Sequence, residues 1–279
     1  MQTLRIGKQI LSLEKPLVMG ILNLTPDSFY DGGKFNDLDA ALAQIQKMVI
    51  EGVDILDVGA FSSRPGAKPV PVEKQIEILK PVVEAIITTF PQLPLSIDTR
   101  DAEVVNSLAE VSSFIVNDIS GAQWDNGLLD AVAKHRHPYV AMHMLGTPET
   151  MQNNPEYDDV CAEVLKYLAN LQTKLRQKGI TDVIVDPGFG FGKTIEHNYR
   201  LLAKLEVFQV LESPVLVGLS RKSMVYKPLN TTASEALNGT TALHMMALSK
   251  GTQILRVHDV KEAVETRNLW LQLQSCVND

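Results

Sequence analysis

The sequence predicts an α/β protein with a (β/α)₈ TIM-barrel fold and a short N-terminal β-hairpin. Short β-branched apolar runs alternate with longer amphipathic segments along the chain, which is the pattern of successive βα units. Eight such pairs follow one another, and no Pro-, Gly- or Ser-rich linker divides them. The 279 residues are therefore expected to form a single domain, 1–279, since α/β barrels of more than about 200 residues commonly fold as one unit.

The predicted strands are compact apolar runs suited to burial on both faces of a parallel sheet. In chain order they are 17–23, 55–59, 95–98, 115–118, 139–143, 183–186, 215–218 and 254–257. Ahead of them, two short alternating runs within 3–13 flank Gly7 and Lys8. These two runs predict a hairpin that closes the bottom of the barrel.

The predicted helices lie between the strands and carry apolar residues at three-to-four spacing. They are 38–51, 72–89, 102–110, 127–134, 157–178, 196–210, 233–250 and 260–275. A doubly wound open sheet is the alternative fold, because the same local pattern builds both architectures.

Composition excludes several classes of protein. The chain has 26 Lys and Arg against 33 Asp and Glu, a net charge of −7, and no basic run that would bind nucleic acid. Its two cysteines, Cys161 and Cys276, are too far apart in sequence to suggest a disulfide framework or a zinc site, so we expect a reducing, cytoplasmic location. The sequence has no signal-peptide core and no apolar segment of membrane-spanning length, which predicts a soluble protein.

Nearly every predicted strand ends in a polar or ionisable residue. These ends read Asn23, Asp57, Asp98, Asn117-Asp118, His143, Asp186, Gly218, and Arg256 with His258. Because the active sites of such barrels lie at the carboxyl ends of the strands, we expect these side chains to form one ring. Asp57 is explained equally well as a turn cap and is not among the predicted catalytic residues.

The loops above this ring carry the cations. Segment 62–66 contains Arg64, segment 220–223 contains Arg221 and Lys222, and Arg256 and His258 share one face of the last strand. Arginine matches phosphate oxygens with a planar fork. With the acids and amides on other strands, these cations suit a heterocycle joined to a phosphorylated arm.

The stretch VDPGFGFGKT at 185–194 is not a nucleotide-binding P-loop. That motif requires a glycine, four residues and then Gly-Lys-Ser/Thr, so that backbone N–H groups wrap the phosphates. Counting back from Gly192 places Pro187, which has no N–H, at the first position, and starting at Gly188 leaves the loop one residue short.

Eight segments, in order from about Pro16 to the end of the chain, resemble dihydropteroate synthases of the pterin-binding TIM-barrel family. They are NLTPDSF at 23–29, DVG at 57–59 with SRPG at 63–66, DT at 98–99, NDISG at 117–121, MHM at 142–144, DPGFGFGK at 186–193, SRKS at 220–223 and RVHD at 256–259. The resemblance implies a transferase of folate biosynthesis that is a homodimer. Its reaction condenses 6-hydroxymethyl-7,8-dihydropterin diphosphate with 4-aminobenzoate to 7,8-dihydropteroate plus diphosphate.

The resemblance also implies a role for each matched residue. The pterin would be bound by Asp98, Asn117, Met142, Asp186, Phe191, Lys222 and Arg256; the diphosphate by Asn23, Arg64, Arg256 and His258, with Mg²⁺ as cofactor on Asn23; the aminobenzoate by Ser63, Pro65, Phe191 and Ser223. Asp98, Lys222, Arg256 and His258 would be catalytic, through an SN1-like pterin cation that needs electrostatic stabilisation more than a base.

Segments 25–36 and 61–70 are expected to close over the site and exclude water. The second of these departs from the family, since 59–66 reads GAFSSRPG, with Phe61 in place of an acid and Ser63 in place of a threonine. Two alternatives remain open at this point. One is a pterin-binding methyl-transfer domain, which has no diphosphate to neutralise, and the other is a non-catalytic pterin-binding homologue.

Overall fold

The computed structural model describes residues 2–24, 34–60, 70–147, 150–151 and 154–277, with the backbone alone at 34–37 and 277. Its strands are β1 (Thr3–Ile6), β2 (Gln9–Ser12), β3 (Leu17–Asn23), β4 (Ile55–Gly59), β5 (Leu95–Asp98), β6 (Ile115–Asp118), β7 (Tyr139–Met142), β8 (Val183–Asp186), β9 (Leu216–Val217) and β10 (Ile254–Val257).

Strands β3 to β10 form one parallel sheet of eight strands, in the order β8-β7-β6-β5-β4-β3-β10-β9. Its two ends meet at a parallel bridge between Val185 and Val215, where the Val185 N–H donates to the Pro214 carbonyl at 2.9 Å. The sheet therefore curls into a nearly closed barrel. The predicted (β/α)₈ fold is confirmed, and the open-sheet alternative is wrong.

The helices are α1 (Lys34–Ile50), α2 (Val72–Thr89), α3 (Ala102–Ala109), α4 (Leu128–His135), α5 (Val160–Gln177), α6 (Ile195–Ala203), α7 (Ser223–Tyr226), α8 (Leu237–Ser249) and α9 (Val260–Val277). A 3₁₀ helix at Leu205–Leu211 follows α6. No helix within the described ranges is long and apolar enough to cross a membrane.

Several helical segments differ from the sequence prediction: α1 begins at Lys34 and not at 38, and the single-turn helix α7 was not predicted. The span predicted as one helix, 196–210, divides at Lys204 into α6 and the 3₁₀ helix. Leu205, Phe208 and Leu211 are the buried residues of the second part, and their spacing of three matches the three residues per turn of a 3₁₀ helix. The helix predicted to begin at 233 begins at Leu237.

Two apolar layers hold the barrel together. The larger lies between strands and helices, and the smaller fills the lower interior of the barrel. The antiparallel hairpin β1–β2 contributes Leu4, Ile6 and Leu13 to the inner layer, where they pack with Met19 and Ile55. The predicted hairpin is thus present and seals the amino-terminal end of the barrel.

Candidate functional site

The alternation of side chains along each strand places the polar residues at the carboxyl end inside the barrel. Four inner-layer residues, Ile55, Ile115, Ile184 and Ile254, each lie two positions before a polar residue of the same strand. Residues two apart in a strand share a face, so these polar residues also face inward. They are Asp57, Asn117, Asp186 and Arg256.

Arg256 lies between two buried carboxylates. Its Nε donates to Oδ2 of Asp57 at 2.7 Å, and its Nη2 donates to Oδ2 of Asp98 at 2.8 Å. Asp57 also accepts from Nδ2 of Asn117 at 3.1 Å and from Oγ of Ser96 at 2.6 Å. This network joins β4, β5, β6 and β10, so their strand ends converge on one site.

One carboxylate oxygen of Asp98 is available to accept a hydrogen bond from a ligand. Its Oδ1 is buried and has no hydrogen-bond partner among the described residues. Burial raises the pKa of Asp98 to about 7, and the neighbouring Arg256 charge opposes this rise. A buried carboxylate oxygen without a partner is suited to accept hydrogen bonds from the N–H groups of a ligand, or to contact a positive charge on the ligand.

A second charge pair lies across β8 and the loop after β9. Asp186 accepts from the Gly188 N–H at 2.7 Å, and Lys222 Nζ donates to the Phe189 carbonyl at 2.6 Å. Burial lowers the pKa of Lys222 to about 8, against the effect of Asp186, and raises the pKa of Asp186, against the effect of Lys222. The Lys222 ammonium also lies 4.5 Å from the centre of the Phe191 ring.

An apolar cluster lies beside these charges. Phe191 packs in it with Ile119, Met142, Met144 and Met151. Flexible thioethers and an aromatic ring make a surface that can contact a flat heteroaromatic ring. The predicted pterin residues Met142 and Phe191 thus belong to one apolar wall.

Two of the residues predicted to bind the diphosphate, Asn23 and His258, lie at the rim of the barrel. His258 follows β10 with an exposed side chain, and its Nδ1 lies 3.1 Å from Ser220 Oγ. Partial desolvation of the imidazole ring by its neighbours, and then the Arg256 charge, lower the pKa of His258 to about 4. Asn23 ends β3 with an exposed side chain. Ser223 begins α7, which is a single turn of 4 residues.

Three predicted site residues, Ser63, Arg64 and Pro65, lie outside the described residues, together with most of the two predicted closing segments, 25–36 and 61–70. Their predicted roles therefore stay predictions. The other predicted site residues lie at the carboxyl end of the barrel or on the loops that leave it.

Arg221 does not contribute a free cation to this site. Its guanidinium makes two bonds to Asp259, at 2.8 and 2.7 Å, and two more to the carbonyls of Ala233 and Ser234. Its backbone is left-handed, with φ 55°, between Ser220 and Lys222. Arg221 was predicted to be one of the cations that bind the anionic ligand. In the structure, Arg221 instead anchors the loop that carries Lys222.

Asp57 was not among the predicted site residues, yet it is fully buried and accepts hydrogen bonds from both Arg256 and Asn117. A signal was available, because Asp57 lies two residues after the inward-facing Ile55. Asp118, by contrast, is a turn cap that accepts from the N–H groups of Ser120 and Ala122.

The match to a family model for pterin binding enzymes covers residues 19–258. The dihydropteroate synthase of Escherichia coli (strain K12) is 47% identical over 257 residues, which are 91% of this chain and 90% of that protein. A Yersinia pestis dihydropteroate synthase solved with a sulfonamide drug complex superposes with a TM-score of 0.92 at 41% identity, covering 98% of this chain and 100% of that one. A Xanthomonas albilineans dihydropteroate synthase in complex with 7,8-dihydropteroate superposes with a TM-score of 0.87 at 37% identity, covering 98% and 99%.

Proposed function

Because the chain belongs to the pterin binding enzymes, and within them to the dihydropteroate synthases, we propose that its site joins a dihydropterin to 4-aminobenzoate through a pterin cation. The enzyme is a transferase of folate biosynthesis, as its relatives are. Its substrates are 6-hydroxymethyl-7,8-dihydropterin diphosphate and 4-aminobenzoate, and its products are 7,8-dihydropteroate and diphosphate.

The observation that carries the mechanism is the placement of Asp98. Its carboxylate shares one oxygen with Arg256 and keeps the other unpartnered among the described residues. The reaction separates charge, since the departing diphosphate takes the electron pair of the C–O bond and leaves a cation at the pterin methylene carbon. A carboxylate and a guanidinium fixed side by side stabilise both charges without reorganising.

The remaining inward groups fit the edges of a pterin. Asp186 and the amide of Asn117 accept from its amino and ring N–H groups, Lys222 donates to its acceptors, and Arg256 stacks on the ring. Met142 and Phe191 contact its faces. Their proximity in the structure supports this assignment.

The second half-reaction needs position more than base strength. The aniline nitrogen uses its lone pair to form the new C–N bond at the cation and then releases one proton to solvent. Phe191, Ser63 and Pro65 hold the aminobenzoate ring, and Ser223 receives its carboxylate. Holding two reactants at contact distance supplies much of the rate acceleration in such steps.

Arg64 and Arg256 neutralise the leaving group, and His258, whose pKa is lowered to about 4, donates a hydrogen bond to it as a neutral imidazole. The described residues contain no group of three acidic, His or Cys ligands that would form a protein cage for a metal. They do offer the exposed amide oxygen of Asn23, and Mg²⁺ is often held by one or two protein oxygens plus substrate phosphates. We therefore propose that Asn23 receives Mg²⁺ carried by the diphosphate, where the ion would withdraw charge from the leaving oxygen.

Two broader assignments concern the location and the assembly of the protein. A cytoplasmic location is supported by Cys161 and Cys276, which are both free thiols. A homodimer is supported by an exposed apolar surface on α8 and α9, formed by Met246, Leu269 and Leu273.

Diphosphate release tests the proposed function. Purified protein with Mg²⁺ and the dihydropterin diphosphate should release diphosphate only when 4-aminobenzoate is added. Asp98→Asn should lower kcat by about 100-fold, the usual loss for a transition-state electrostatic partner. The control is Asp130→Asn, because Asp130 is an exposed residue in a surface ion pair with Lys178.

Three results would contradict the proposal. Tight pterin binding without turnover would indicate a non-catalytic homologue, and unchanged kcat in Asp98→Asn would remove Asp98 from the mechanism. Transfer of a methyl group with no use of the diphosphate would indicate the methyl-transfer alternative.

A further inference from the structure

A buried lysine holds the glycine-rich loop that follows β8. The Lys193 side chain is buried, and its Nζ lies 2.9 Å from the Gly188 carbonyl oxygen and 3.0 Å from that of Phe191. It also lies 2.9 Å from His143 Nδ1 and 3.3 Å from the His143 carbonyl oxygen. One ammonium thus binds the loop to itself and to the segment after β7.

This arrangement is the reverse of a phosphate-binding loop. There the backbone N–H groups and the lysine point at an anion. Here the ammonium points at the loop's own carbonyl oxygens. Gly188, Gly190 and Gly192 have φ of 71°, 82° and 61°, a conformation that glycine adopts without strain, and the backbone they shape wraps the ammonium.

The same loop organises three groups of the pterin pocket. The Gly188 N–H donates to Asp186, and the Phe189 carbonyl accepts from Lys222. The Phe191 ring lies under the Lys222 ammonium. The positions of Asp186, Lys222 and Phe191 therefore depend on how the loop is held.

Packing alone does not require a charge at position 193. Burying an ammonium costs desolvation energy, and replacing buried charges by apolar residues of similar volume is often neutral or stabilising. The four polar contacts offset part of that cost, since burial still lowers the pKa of Lys193 to about 7, and the same contacts fix the loop. The ammonium is thus best explained by the geometry that it imposes.

We propose that Lys193 is a positioning residue for the condensation, acting through the 188–192 loop on Asp186, Lys222 and Phe191. The role in the condensation rests on the proposed function, whereas the expected effect of Lys193 on pterin affinity does not depend on turnover. Among the described residues, the hydrogen bonds of Lys193 go to His143, Gly188 and Phe191 and not to Asn23, Arg256 or His258, so its effect should appear in pterin affinity and in coupling to Lys222.

A double-mutant cycle tests the inference. Affinity for the dihydropterin diphosphate is measured by fluorescence titration for Lys193→Met, Lys222→Met and the double variant, below the lowest melting temperature of the set. Lys193→Met alone should weaken binding by about 10-fold or more. In the Lys222→Met background the same change should cost much less, because residues that act through one hydrogen-bonded loop are not additive.

Two further variants sharpen the result. Lys193→Gln keeps an N–H donor inside the loop and should restore part of the affinity, and it replaces Lys193→Met in the cycle if that variant does not fold. Lys204→Met changes an exposed lysine after α6 and should bind pterin as the unmodified protein does.

Losses that add in the double variant, or unchanged pterin affinity in Lys193→Met, would overturn the positioning role. If the unmodified protein binds pterin but releases no diphosphate, the proposed function fails while the binding cycle still decides the role of Lys193.

Discussion

At the residue scale, the charge balance of the pocket depends on Asp57 as much as on the residues that face the ligand. Asp57 is fully buried and accepts hydrogen bonds from Arg256, Asn117 and Ser96. The spacing from Ile55 indicates that Asp57 faces the barrel interior, but the sequence does not say which side chains on other strands bind it. Arg256 and Asn117 were predicted correctly to lie at the strand ends, but their common partner was not.

Asp57→Asn should destabilise the protein by about 2 kcal/mol, because Arg256 keeps its ion pair with Asp98 but loses the charge-assisted hydrogen bond to Asp57. Urea unfolding measures the change. Ser96→Ala is the matched control, since it deletes one hydrogen bond to Asp57, worth about 1 kcal/mol, and keeps the charge. Equal losses in the two variants would show that Asp57 acts only as a hydrogen-bond acceptor.

The pH dependence of the condensation should follow Asp98 and Lys222. The pKa of Asp98 is raised to about 7, so its carboxylate is protonated below that pH and gains its charge as the pH rises. The pKa of Lys222 is lowered to about 8, so its ammonium is lost above that pH. We expect kcat/KM for the dihydropterin diphosphate to rise toward pH 7 and to fall beyond pH 8, since this ratio reports the ionisations of the free enzyme.

The Asp98→Asn and Lys222→Gln variants assign the two limbs of that profile. Asp98→Asn should be slow but should lack the acidic limb, and Lys222→Gln should lack the alkaline limb. An acidic limb that persists unchanged in Asp98→Asn would instead belong to the substrate or to another carboxyl group.

At the element scale, the strands were easier to predict than the loops between them. A strand buried on both faces needs a short apolar run, and such runs are visible in the sequence. The left-handed backbone of Arg221 and the Lys193-centred loop were not predicted, because both are fixed by tertiary contacts with His143 and Asp259. The 3₁₀ helix Leu205–Leu211 differs from these loops, because the three-residue spacing of its buried residues is visible in the sequence.

Gly188→Ala should abolish pterin binding or destabilise the protein by more than about 2 kcal/mol, because a forced backbone conformation and a steric overlap act together. Gly188 has φ 71°, and a Cβ built on it would overlap the His143 carbonyl oxygen. Gly179 is the matched control, with φ 80° and no atom within 4 Å of the same Cβ. Gly179→Ala should cost about 1 kcal/mol, the strain of the backbone alone.

Calorimetric melting and pterin titration compare the two variants. Equal effects of Gly188→Ala and Gly179→Ala would mean that the close approach to His143 has no influence on the loop.

At the scale of the whole molecule, the order of strands and helices in the sequence predicted the eight βα units but not the contact that closes the sheet into a barrel. Local patterns are shared by barrels and open sheets, so the count of eight pairs and their polar ends decided for the barrel. Closure itself depends on one bridge, Val185 with Val215, beside a strand of only 2 residues. That contact joins residues from distant parts of the chain and has no local signature.

The exposed apolar surface on α8 and α9 predicts that the protein assembles into a homodimer. Leu269 and Leu273 are 67% and 57% exposed and lie four residues apart on one face of α9, while Met246 on the adjoining α8 is 50% exposed. Exposed apolar clusters of this kind mark protein contacts, and the family resemblance implies that the partner is a second copy of the chain.

Leu269→Glu should weaken self-association by about 100-fold or more, because an unpaired charge would be buried in the interface. Sedimentation velocity at micromolar concentration should show the unmodified protein as a dimer and the variant as a monomer. Ile10→Glu is the matched control, because Ile10 is also 67% exposed but lies on the hairpin at the opposite end of the barrel from the pocket. The Leu269→Glu monomer should keep its affinity for pterin, because the described pocket residues lie at the strand ends and on the loops after β8 and β9, not on α9. Dissociation by Ile10→Glu, or an unmodified protein that sediments as a monomer, would contradict the assignment of this surface.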